Sequence, residues 1–176
     1  FVLLHALDQE LEREDQELGI ADSERIVLLT YTRTLVRFDQ YLTNVVGTHR
    51  TTPTISTVDS FVLKTLQQRD GRFHMDYTGL KQYAQDNRLP FLSSEELYTE
   101  IEEVIFGRAL ARSEYVETPG ARRGMKQPLS AQQRAVVWER AQDARNTLLQ
   151  QFRVSKNLSR LYLLEALESD RAFREA

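Results

Sequence analysis

Apolar positions along the chain recur with two different periods. Leu4, Leu7 and Leu11 share one helical face, which predicts a first helix from Phe1 to Leu18 with Gly19 as its stop. Ile26-Val27-Leu28-Leu29 is a short continuous apolar run between polar flanks. Its length suits a strand buried on both faces, as in a parallel sheet. The helical period returns at Leu35, Phe38, Leu42 and Val45 and stops at Gly47. Pro53 introduces a second strand over Thr54 to Val58, and Asp59 is a suitable N-cap for a helix carrying Phe61, Val62, Leu63 and Leu66. Residues 1–70 thus read helix, strand, helix, strand, helix, an alternation that predicts a parallel α/β layer.

The pattern changes from Asp70 onward, where no strand is predicted. Ser93-x-x-Glu96 is a capping box, followed by the apolar stripe Leu97, Ile101, Val104 and Ile105, with Gly107 loosening or ending the helix. A loop rich in Gly, Pro and Arg runs from Thr118 to Pro128. Ser130-x-x-Gln133 is a second capping box and opens a long helix with Val137, Trp138, Ala141, Leu148 and Phe152 near one face. A last helix carries Leu158, Leu161, Leu164 and Leu167. The expected fold is α/β and mostly helical overall: a sheet layer in 1–70, then an all-α portion in 71–176.

Composition narrows the chemistry. Of 176 residues, 41% are hydrophobic and 28% charged, enough apolar material for a real core. The formal net charge is -3, so any contact with nucleic acid must come from local patches rather than from the global field. Cysteine is absent, which excludes disulfides and thiolate metal sites and suits a reducing, cytoplasmic setting. No apolar run approaches the ~20 residues of a membrane span. The opening Phe1 to His5 lacks the basic leader and small-residue cleavage site of a signal peptide, and the expectation is a chain that begins inside a helix.

Candidate functional groups fall in three places. Thr30, Tyr31, Thr32 and Arg33 end the first strand, the edge at which open α/β sheets bind ligands. Hydroxyls, helix-terminal amides and an Arg can hold phosphate there, or Thr32 or Thr34 can simply cap a helix. Thr57, Ser60 and Phe61 form the equivalent corner after the second strand, where Phe61 either stacks on a base or supports the corner from beneath. Asp59 is read as a cap and not as a phosphate contact. Arg108, Arg112, Arg122, Arg123 and Lys126 form the dense basic cluster, either a backbone binder or a solvated loop. Trp138 is read as core. Glu95, Glu96, Glu100, Glu102 and Glu103 are assigned to a helix start and its outer face, not to acid–base catalysis. His5, His49 and His74 lack metal-ligand spacing.

Three stretches together resemble superfamily-one DNA helicases of the UvrD/Rep type. IVLLTYTRTL, from Ile26 to Leu35, is similar to the family's motif Ia: a strand, then Thr, an aromatic, Thr and a polar or basic residue. TISTVDSFVLKTL, from Thr54 to Leu66, is similar to motif Ib, with Asp59 where the family commonly has His. EIEEVIFGRAL and PLSAQQRAVVWE, between Glu96 and Glu139, resemble the family's helical insertion subdomain. The resemblance spans about four fifths of the chain. It implies a partial RecA-like sheet layer followed by the insertion. It also implies a fragment of an ATP-dependent translocase that contacts single-stranded and forked DNA, with the rest of the helicase chain as partner. ATP and Mg are implied for the parent and no cofactor for this chain. The sequence holds no GxxxxGK[ST] and no Asp-Glu pair after a buried strand, so the chain alone is expected to be inert toward ATP. The alternative reading is a non-catalytic protein-interaction module, which the acidic net charge favours.

Overall fold

The computed structural model describes residues 27–46, 54–117 and 128–169. The expected first helix, Gly19, Gly47, Pro53, His5 and His49 lie outside the described residues, as do Arg122, Arg123 and Lys126. Among the described residues the fold is α/β and mostly helical, with two small parallel sheets of two strands each. Its contacts divide it into two compact units between Phe61 and Val62, inside a helix and short of the compositional change at Asp70.

The first unit contains β1 (Val27–Thr30), α1 (Arg33–Val46), β2 (Thr54–Thr57) and the start of α2 (Val58–Arg69). β1 and β2 pair in parallel, with Val27 opposite Thr54 and Thr30 opposite Thr57. Parallel neighbours need a crossover, and α1 lies within that connection. Both helices start within three residues of a strand end and carry a threonine cap. The Leu35 N–H donates to Thr32 Oγ1 at 3.2 Å, and the Ser60 N–H donates to Thr57 Oγ1 at 3.1 Å. The second cap differs from the expectation. The strand ends at Thr57 and Val58 is already helical, so Thr57 takes the cap and Asp59 sits in the first turn. There its charge complements the helix dipole instead. β1 is also not buried on both faces: Val27 is 38% exposed and Leu29 41%. Leu35 and Phe38, the expected apolar face of α1, are exposed as well.

The second unit continues α2, whose Val62 and Leu66 are buried, through β3 (His74–Met75), α3 (Gly79–Asp86) and α4 (Ser94–Thr99). α4 runs straight into a π-helical segment, Glu100–Phe106. α5 (Arg112–Glu117), α6 (Ala131–Gln150), β4 (Arg153–Val154) and α7 (Lys156–Ser169) complete it. Leu66, Leu80, Leu97, Ile101, Ile105, Val137 and Leu158 are sealed in its core. Both expected capping boxes form. Glu96 N–H donates to Ser93 Oγ at 3.2 Å while Ser93 N–H donates to the Glu96 carboxylate at 3.0 Å. Ser130 and Gln133 repeat the exchange at 3.2 and 2.9 Å.

Three features of this unit depart from the pattern-based reading. β3 and β4 form a parallel pair, His74 opposite Arg153 and Met75 opposite Val154, in a portion expected to be purely helical. Two residues are too few to show an alternation. α6 ends at Gln150, so Phe152 is not on it. Phe152 adopts a left-handed backbone, φ 56°, and packs edge-on against Phe73 with ring centroids 5.6 Å apart. Finally, Glu100 and Glu102 are buried rather than on an outer face. The wider π turn changes the angular spacing of side chains and rolls both inward. Glu102 is then used as a remote cap for α7: it accepts from Ser155 Oγ at 2.6 Å and from the Asn157 N–H at 2.9 Å. Burial pushes the Glu102 carboxyl above its ordinary value, against the opposing pull of these two donors.

Gly107 ends the π segment, its N–H donating to Glu102 O at 2.9 Å. A Cβ placed there would stand 2.7 Å from Glu103 O and 3.1 Å from Asn157 Nδ2. Gly107→Ala is therefore expected to cost roughly 1–3 kcal/mol, the range for overpacking. Urea unfolding measures it; a midpoint equal to wild type would contradict the steric argument.

Candidate nucleic-acid interface

The two strand-end corners lie side by side. β1 and β2 run parallel with Thr30 and Thr57 in register, so both carboxyl ends share one edge of the sheet. Each strand leads within three residues into a helix. The first turns of both helices follow these strand ends, and the positive end of a helix dipole suits an anion.

The residues at these corners are not equivalent. Tyr31 is 82% exposed, and Thr32, Arg33 and Ser60 are exposed with it. Thr30, the last residue of the strand, is only 9% exposed. Thr57 and Phe61 are half-buried. The Thr57 hydroxyl is already engaged, accepting the Ser60 N–H and donating to Ser60 Oγ at 2.8 Å. That arrangement leaves the Ser60 hydroxyl hydrogen as the outward donor of this corner. Thr32 Oγ1 accepts the Leu35 N–H and keeps its own hydrogen available. The edge thus offers Arg33, two hydroxyl donors, an exposed tyrosine ring and helix-terminal amides, which is chemistry for a phosphate-bearing chain.

The basic cluster is represented by Arg108 and Arg112, both exposed, at the end of the π segment and the start of α5. Arg134 was missed in reading the sequence. It is 7% exposed, and its guanidinium donates to Val116 O at 2.9 Å and to Leu129 O at 2.7 Å. Val116 and Leu129 flank the basic loop, so one buried side chain ties its two ends together. The only sequence signal for this is an arginine at an inward position of α6, four residues past a capping serine. Trp138 is half-buried, its ring 6.1 Å from that of Tyr115, so it is a wall of the core rather than its centre.

His74 is exposed on β3. Among the described residues no group of three His, Asp or Glu could hold a metal ion. No described helix is long and apolar enough to cross a membrane. No protein-family model matches the chain, and no curated protein matches it significantly.

Proposed function

We propose that this chain is part of a DNA-translocating motor of the UvrD/Rep kind and that its sheet edge binds the backbone of single-stranded DNA. The reading rests on one observation: the register of Thr30 with Thr57 brings two threonine-capped corners together, with Tyr31, Thr32, Arg33 and Ser60 exposed on them. Arg33 supplies the charge, Thr32 and Ser60 donate to phosphate oxygens, and Tyr31 offers a face for a base. Arg108, Arg112, Arg122, Arg123 and Lys126 supply further charge for duplex backbone. ATP hydrolysis and its Mg belong to other parts of such a motor, and the cytoplasm is where it works.

Titration with a labelled oligonucleotide over a salt series tests this. Binding should weaken steeply with salt. Arg33→Ala should lower affinity and flatten the log–log slope by about 0.7, the value for one phosphate on a single strand. Ser60→Ala should lower affinity and leave the slope alone, because a neutral donor releases no counterion. No binding at low salt would discard the proposal and favour a protein-interaction module, for which the exposed Leu35, Phe38 and Tyr41 would be the natural surface.

A further inference from the structure

The second unit carries a groove that plays no part in the DNA reading. It has a volume of about 340 Å³ and lies between α6, α7 and the turn after the π segment. Its apolar lining includes Ile105, Leu110, Trp138, Leu161 and Leu164. Leu164 is 45% exposed, an unusual position for a leucine beside a half-buried tryptophan. The wall is held in a sparsely populated geometry. Ala109, which also lines the groove, has φ 50°, and the Leu110 N–H reaches back to Ile105 O at 3.1 Å in a π-type bond. A non-glycine residue in the left-handed region costs energy that the surrounding fold must supply, and such geometry concentrates at binding sites. A π segment has the same tendency.

Charge decides what the groove accepts. Three charged residues line it: Arg145, Glu165 and Glu168. Arg145 and Glu165 form an ion pair and neutralise each other. Glu168 is exposed and has no ion-pair or hydrogen-bond partner among the described residues. Among the described residues, one carboxylate therefore remains beside an open apolar floor. We propose that this groove docks a peptide segment bearing a bulky apolar side chain and, one helical turn away, a lysine or arginine. The apolar group seats between Trp138 and Leu164 and the cation meets Glu168. A buried anchor of this kind supplies most of the affinity, while a charge at the rim selects the partner.

Trp138 is the only tryptophan in the chain, so its emission reports on the groove directly. The probes are two tryptophan-free peptides of equal length, each with one phenylalanine and either lysine or glutamate one turn away. The lysine peptide should shift the emission saturably, and the glutamate peptide should bind about tenfold more weakly, a difference near 1.4 kcal/mol. Leu164→Asp should abolish the shift, and Glu168→Lys should reverse the order of the two peptides. The Glu168 variant changes only an exposed side chain, so it decides the matter even if Leu164→Asp fails to fold. Silence toward the lysine peptide would overturn the proposal. So would equal binding of both peptides by wild type, or emission that changes with protein concentration alone, which would make a second copy the occupant.

Discussion

Arg134→Ala is expected to destabilise the second unit by roughly 2–5 kcal/mol, the cost of leaving two buried carbonyl oxygens without donors. The guanidinium donates to Val116 O and Leu129 O, and no carboxylate pairs with it among the described residues. Its partners are main-chain groups in the core at both ends of one loop, where Val116 and Leu129 are themselves buried. Alanine removes the donors, leaves a void beside α6, and frees the two ends of the loop. Arg134→Lys should recover only part of the loss, since an ammonium is a point donor and cannot reproduce the planar fork. Urea unfolding of the three proteins measures this. A loss below about 1 kcal/mol for Arg134→Ala would mean that water replaces the guanidinium and that the staple is dispensable.

Asp76→Ala is the second large effect, and its size should depend on pH. The Asp76 carboxylate accepts from the Thr78 N–H at 2.8 Å, the Thr78 hydroxyl at 2.9 Å and the Gly79 N–H at 2.9 Å, at the start of α3. It also pairs with Arg153, which follows Phe152 on β4. One side chain thus joins the β3–α3 turn to the β3–β4 pair. Losing it should cost roughly 2–4 kcal/mol near neutral pH, combining a lost cap with a half-buried ion pair. Burial pushes the carboxyl up, but the Thr78 and Gly79 amides, the Thr78 hydroxyl and Arg153 outweigh it and hold it well below the usual carboxylate range. A lowered folded value means that the unfolded chain takes up protons first. The stabilisation is therefore complete above the unfolded aspartate value of about 3.9 and disappears as pH falls toward the folded one. The gap between wild type and Asp76→Ala should be constant from neutral pH down to about 4 and shrink below it. A gap that stays constant on further acidification would show that the charge of Asp76 contributes little.

Arg134 and Asp76 both act over long separations in the chain, whereas the helix caps are local. Both capping boxes, at Ser93 and Ser130, join residues three apart, so the spacing of a serine and a Glu or Gln is enough to find them. Arg134 and Asp76 act on Val116 and Arg153, far away in the chain. Nothing near an arginine in a helix says which carbonyls it will meet. The cap of α2 shows how fine the limit is: Asp59 and Thr57 are both good caps, and only the strand end at Thr57 chose between them.

At the candidate interface, Thr32 and Ser60 are legible as polar groups at a strand-to-helix turn, because that turn is a local event. Whether the two corners meet is not local. It depends on β1 pairing with β2 in parallel and in register. Thr30 is buried at this end of the strand, although its neighbours in sequence are exposed.

The sequence by itself determined the two capping boxes at Ser93 and Ser130 and a mostly helical chain with a parallel strand pair in its first portion. These follow from interactions within one or two turns, whose geometry the backbone already fixes. Tertiary structure alone decided that Glu100 and Glu102 turn inward, that Arg134 closes a loop, that β3 meets β4, and that Trp138 and Leu164 border an open groove. Burial and long-range hydrogen bonding belong to pairs of residues, and a pattern along one chain carries no record of which distant partner arrives.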